Sequence, residues 1–196
     1  MTKPSKKKIG IDFDDVIFGF NRAFIVFQKE RYGIDLHYED IITFDINQVW
    51  NMSKDESFRR VDEFLMSPYH DMAKPVPGAA EAINILKERH ELHIVTSRKE
   101  EVRGRTIAWL DKAFPGAFAG VHFTGQFSKG GGKVLKSEVC KQLLVDTFVE
   151  DALVYAHEIA EAGIDVFLLD SPWNQERTMP TVTRVKSWDE IVEKMD

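Results

Sequence analysis

The sequence predicts a doubly wound α/β fold, with a mainly parallel sheet and a small helical segment inserted after the first strand. Three observations predict it. From residue 79 onward, short apolar runs of strand length alternate with helix-length amphipathic segments, the signature of parallel β–α units. The first apolar run, beginning at Lys8, stops abruptly on Asp12, Asp14 and Asp15, as a buried strand delivering acids to its carboxyl end would. Between that run and Met72 the alternation lapses into short helical stretches.

Taken in order, a solvated basic tail leads into the strand at Lys8 to Val16. Phe20, Phe24 and Phe27 have helical spacing over Val16 to Arg31, and Gly33 is the stop. Phe58, Val61, Phe64 and Leu65 share one face of a later helix, which Ser53 and Glu56 open as a capping box. Pro75-Val76-Pro77-Gly78 breaks the chain ahead of a helix over Ala79 to Arg89. Then come a strand at Leu92 to Ser97, a helix from about Glu100 to Phe114, a strand at Val121 to Thr124 and a polar, glycine-rich loop over 126–132. A helix at Lys136 to Leu144, a strand at Thr147 to Asp151 and a helix at Val154 to Ala162 follow. Strands at Asp165 to Leu169 and Val182 to Val185 and a helix at Trp188 to Met195 complete the chain.

The 196 residues suffice for one core and a small accessory unit. A formal charge of −6 argues against a surface that coats nucleic acid. The single Cys140 excludes an intramolecular disulfide and favours a reducing, cytoplasmic setting. No apolar run reaches the roughly 18 residues that would span a membrane.

Several strands end on reactive groups: Asp12 and Asp14, Thr96 and Ser97, Glu150 and Asp151. Parallel neighbours would bring those ends to one crevice, where period-2 alternation keeps Asp14 beside Asp12 if the strand continues. Close carboxylates repel, so a shared proton or a cation is expected, and hard oxygen ligands suit Mg²⁺. Lys136 opens a helix near the last of these strands and brings a positive charge; Lys133, three residues upstream, is the competing lysine. Gly130 to Lys133 fails as a phosphate loop, because Phe127 stands at the first glycine position and Val134 follows the lysine.

A strand-borne Asp-x-Asp, a strand-end Thr, a Lys and a late acidic pair, in this order, resemble the haloacid dehalogenase (HAD) superfamily of phosphohydrolases. Asp12-Phe13-Asp14-Asp15-Val16 with Phe20, Pro75 to Ala79, Val95-Thr96-Ser97, Val149-Glu150-Asp151 and Ser171 to Gln175 further resemble its 5′(3′)-deoxyribonucleotidases. The resemblance implies a Rossmann-like core over 1–17 and 73–196 and a helical cap over 18–72. It implies a phosphatase in which Asp12 is the nucleophile, forming an aspartyl phosphate, and Asp14 the general acid and base. Asp12, Asp151 and the Asp14 carbonyl would hold Mg²⁺, while Thr96 and Lys136 bind phosphate oxygens. Ser97, Arg98 and Phe20 would contact substrate, with Phe20 stacking on a base; Phe18, Phe44 and Trp50 are further aromatic candidates.

The implied partner is a small phosphomonoester, a nucleoside monophosphate first and a sugar phosphate second, with a homodimer left open and no nucleic-acid polymer or membrane involved. A non-catalytic ligand-binding protein on the same fold is the reading from another class. Two positions depart from the resembled pattern. Asp15 stands where glycine is usual and has no chemical role, and Glu150 replaces an Asp.

Overall fold

A computed structural model of the chain describes residues 6–125 and 134–195. Six strands, β1 (Lys8–Ile11), β2 (Glu91–Thr96), β3 (Gly120–Phe123), β4 (Thr147–Glu150), β5 (Asp165–Leu169) and β6 (Val182–Val185), form one sheet in the order β3-β2-β1-β4-β5-β6. Every neighbouring pair is parallel. The winding direction reverses at β1, between β2 and β4, so the crevice beyond the carboxyl ends of β1 and β4 is the topological switch point.

Both faces of the sheet are covered, which is why its strands read as continuous apolar runs. Ile9, Ile11, Leu92, Ile94 and Val149 belong to a core shared with α5 (Ala79–Arg89), α6 (Arg103–Ala113) and α9 (Trp188–Met195). Val95, Phe148, Val166 and Leu168 pack on the other side with α7 (Lys136–Leu143) and α8 (Leu153–Glu161). Gly10 is required inside β1: a Cβ there would lie 2.4 Å from the Phe148 ring.

Between β1 and β2 lie α1 (Phe20–Tyr32), α2 (Ile46–Val49), α3 (Lys54–Leu65) and α4 (Pro68–Asp71). The aromatic stripe of α1 is their core: Phe24 meets Phe64 of α3 edge-on at 5.4 Å and Trp50 at 5.5 Å. Ser53 Oγ accepts from the Glu56 amide at 3.2 Å, fixing the start of α3. Gly33, at φ 67°, closes α1 in the left-handed conformation. Lys99 to Asp62, at 2.5 Å, and Trp109 Nε1 to the Ala73 carbonyl, at 2.9 Å, tie this segment to the sheet's own helices.

The element boundaries depart from expectation in instructive places. β1 stops at Ile11, and residues 13–18 form a tight turn in which the Ile17 and Phe18 amides both donate to the Phe13 carbonyl. This delays α1 to Phe20 rather than Val16. The helix expected from Glu100 begins as a 3-10 turn (Glu100–Val102) before α6. The glycine-rich loop and Lys133 lie outside the described residues.

Candidate active site

Parallel register sets the chemistry. Asp12 is the first residue beyond β1, and its amide donates to the Val149 carbonyl of β4 at 2.9 Å, which places it beside Glu150 and Asp151. Carboxylate oxygens of Asp12, Glu150 and Asp151 lie within 4.8 Å of one another, all buried. Lys136, at the start of α7 and fully buried, reaches both Asp12 Oδ1 and Glu150 Oε2 at 2.7 Å.

Three buried acids with one ammonium leave an excess of negative charge, and the electrostatics register it. Burial, with Glu150 next, pushes the Asp12 carboxyl up to about 7 despite Lys136. Burial also lifts Asp151 well above the usual carboxylate range, with Glu150 and Asp12 adding to the effect. For Lys136, burial opposes the charge, but Asp12 and Glu150 outweigh it and hold the ammonium firmly protonated. A hard divalent cation fits this donor set, because it would relieve the acids' mutual repulsion. Glu150 is the least available ligand: Oε2 takes the lysine, and Oε1 accepts from the Asp151 and Ala152 amides at 3.1 and 3.2 Å.

Asp151 is fixed from behind. Trp173 Nε1 donates to its Oδ2 at 2.8 Å, and Asn174 Nδ2 to its carbonyl at 2.7 Å. The roles of these two side chains could not be read locally, since each acts across more than 20 residues of sequence.

A cavity of about 850 Å³ opens above this floor. Asp12, Asp14, Asp15, Ser97, Arg98, Lys136, Glu150 and Asp151 line its polar end. Phe20, Phe44, Trp50, Phe58 and Leu65 line the end formed by the inserted helices. Phe20 serves both expectations: it stacks on Phe24 at 5.4 Å within the aromatic stripe and also borders the cavity. Phe18 does not border it; that ring is fully buried between Phe13, His70 and Trp109. Tyr155, which no sequence pattern marked, borders the cavity and meets Phe44 edge-on at 5.9 Å.

Thr96 ends β2 just behind Ser97 and does not itself line the cavity. Its Oγ1 accepts from the Arg98 amide at 3.2 Å. Arg98 is committed elsewhere: Nε and Nη2 grip the two oxygens of Asp14 at 2.9 and 2.8 Å. Asp15 has a structural role. At φ 54° it turns the chain, and its carboxylate accepts from the Asn21 amide at 3.0 Å, capping the first turn of α1, where Gly19 offers no side chain.

"Putative nucleotidase YqfW" of Bacillus subtilis is 27% identical over 190 residues, covering 96% of this chain and 93% of its own. Among solved structures, the haloacid dehalogenase-like family protein SP0104 from Streptococcus pneumoniae superposes with a TM-score of 0.69 at 13% identity, over 97% of this chain and 99% of that one. The magnesium-bound "putative HAD-hydrolase YfnB" of Bacillus subtilis gives 0.65 at 15% identity, over 97% and 99%. The family model described as "5′ nucleotidase, deoxy (Pyrimidine), cytosolic type C protein" matches residues 6–195, and the chain belongs to that family of nucleotidases.

Proposed function

We propose that the protein is a Mg²⁺-dependent phosphomonoester hydrolase that works through an aspartyl phosphate on Asp12, with nucleoside monophosphates as substrates. The observation that carries this reading is the buried cluster of Asp12, Lys136, Glu150 and Asp151 beneath an 850 Å³ cavity with an aromatic far end. Family membership and the magnesium bound by the structurally similar YfnB support it.

Asp12 attacks phosphorus, and the bond to the leaving oxygen breaks as Asp14 delivers a proton to it. Water, losing a proton to Asp14, then attacks the same phosphorus, and the Asp12–phosphorus bond breaks to release inorganic phosphate. Lys136 holds Asp12 in place and offsets charge on the phosphate, while Thr96 and Ser97 donate to its oxygens. Asp12, Asp151 and the Asp14 carbonyl would hold Mg²⁺, which supplies charge neutralisation at the phosphoryl oxygens. Residues 18–72 act as the cap, presenting Phe20, Phe44 and Trp50 to the nucleoside.

The test is phosphate release from deoxy- and ribonucleoside 5′- and 3′-monophosphates and sugar phosphates, with Mg²⁺ or EDTA. Turnover of nucleotides that EDTA abolishes is the expected result. No turnover of any substrate with Mg²⁺ would overturn the reading, and turnover of sugar phosphates alone would remove the nucleotide from it.

A further inference from the structure

Arg98 is a buried guanidinium whose partners all belong to the protein. Its side chain is 3% exposed, whereas that of Asp14, which it grips with two parallel bonds, is 31% exposed at the cavity wall. The remaining nitrogen, Nη1, donates to His70 Nε2 at 2.9 Å and Thr106 Oγ1 at 3.0 Å. The guanidinium plane lies over Phe13 and Phe18, 4.3 and 4.6 Å from the ring centres. A fork of this shape fixes both the direction and the rotation of a carboxylate, which a lysine cannot do.

The anchor is itself built. Arginine only donates, so His70 Nε2 must accept, and the imidazole proton sits on Nδ1, facing Asp71 Oδ1 at 3.1 Å. Asp71 is held by Arg105 at 2.5 Å, and the Thr106 hydroxyl donates to the Val102 carbonyl at 3.0 Å. Asp14 is thereby referenced to α4 of the inserted segment and to α6 of the sheet's helical layer. Four of the five guanidinium N–H groups are thereby engaged within the protein.

We propose that Arg98, anchored by His70 and Thr106, is a positioning residue that aims the Asp14 carboxyl at the leaving oxygen. This rests on the hydrolase reading above, in which Asp14 handles the proton. Its consequence is selective: a leaving group that departs as a stable anion needs no proton, so misaiming Asp14 should barely affect its transfer to Asp12. General acid catalysis contributes about 10²- to 10⁴-fold where a proton is needed.

The experiment compares kcat/KM, which reports events up to formation of the aspartyl phosphate, for p-nitrophenyl phosphate and for the best nucleoside monophosphate. Arg98→Met should lower the nucleotide value about 100-fold and the aryl value less than about 5-fold. Inhibition by inorganic phosphate should stay within twofold, and Arg98→Lys should recover part of the loss. Thr106→Val, which removes one anchor and leaves the ion pair in place, should show the same selectivity more weakly, and it serves if Arg98→Met does not fold. Equal losses on both substrates in these variants would overturn the proposal. So would a rise in KM and in the phosphate inhibition constant at unchanged kcat, which would make Arg98 a substrate ligand. A wild-type protein inactive on both substrates would instead remove the hydrolase reading itself.

Discussion

The two ends of the cavity are built on opposite principles. At the polar end, Asp12, Lys136 and Glu150 are held by parallel register and by each other, and each is nine-tenths buried or more. At the aromatic end, short helices and loops present larger side chains, and Phe44 among them is 45% exposed. The charged cluster thus sits beside paired strand ends, while the aromatic wall is carried by short helices and loops. The Asp12–Lys136–Glu150 cluster should be intolerant of change and the aromatic end tunable.

The largest effects belong to the polar end. Asp12→Asn should lower phosphate release on the order of 10³-fold or more while binding of inorganic phosphate persists. Measurable turnover at wild-type rate would end the nucleophile assignment. Lys136→Met leaves Asp12 and Glu150 buried without their cation. It should cost about 3–5 kcal/mol of stability in urea unfolding, as well as activity. A loss below 1 kcal/mol would mean that the polar end relaxes more than its burial implies.

The same excess of acid predicts a dependence on pH and metal. Asp12, raised to about 7 from 3.8, and Asp151, also raised, bind protons more tightly in the folded protein than in the unfolded chain. In EDTA-treated protein these two acids should therefore add stability as pH falls from about 7 toward 4, while His70 and His122, whose burial lowers their pKa, oppose them below about 6.5. Mg²⁺ competes with those protons, so it should raise the melting temperature more at pH 7.5 than at pH 5.5. Equal Mg²⁺ effects at both values would contradict the frustrated-acid picture.

The contrast also explains what the sequence could reveal. The parallel sheet and the meeting of Asp12 with Asp151 follow from apolar runs that end on polar residues, a signal local to each strand. The start of α1 was misplaced because the turn at residues 13–18 uses apolar residues that also suit a helix. The resemblance alone puts Arg98 on the substrate; in the structure it lines the cavity and grips Asp14. Its partners Asp14 and His70 lie 84 and 28 residues away, beyond any local pattern. Tyr155 and Trp173 escaped for the same reason, since tertiary packing alone turns them toward the cavity and Asp151.

At the aromatic end, Phe44→Ala should raise KM for a nucleoside monophosphate about 3- to 10-fold, the worth of one aromatic contact, with little change for p-nitrophenyl phosphate. Melting temperature should hardly move, because Phe44 is half exposed, its ring meeting Tyr155 edge-on. An unchanged KM would show that the nucleoside does not reach this wall.

Asp15 lines the polar end outside the Asp12–Lys136–Glu150 cluster and should give the smallest effects, yet they separate two opposing terms. Its left-handed backbone, φ 54°, favours glycine, while its carboxylate caps the Asn21 amide, which glycine would leave bare. Asp15→Gly should therefore change stability by less than about 1 kcal/mol, strain relief offsetting the lost cap. Asp15→Ala loses the cap and keeps the strain, so it should be the less stable of the two by about 1 kcal/mol. Asp15→Asn tolerates the left-handed turn and still offers an oxygen to the amide, without an acid that burial already drives toward its neutral form. It should match or exceed the wild type in urea unfolding. If alanine proved as stable as asparagine, the cap would contribute nothing, and the reason for an aspartate at this turn would have to be sought in the charge it adds to the cavity wall.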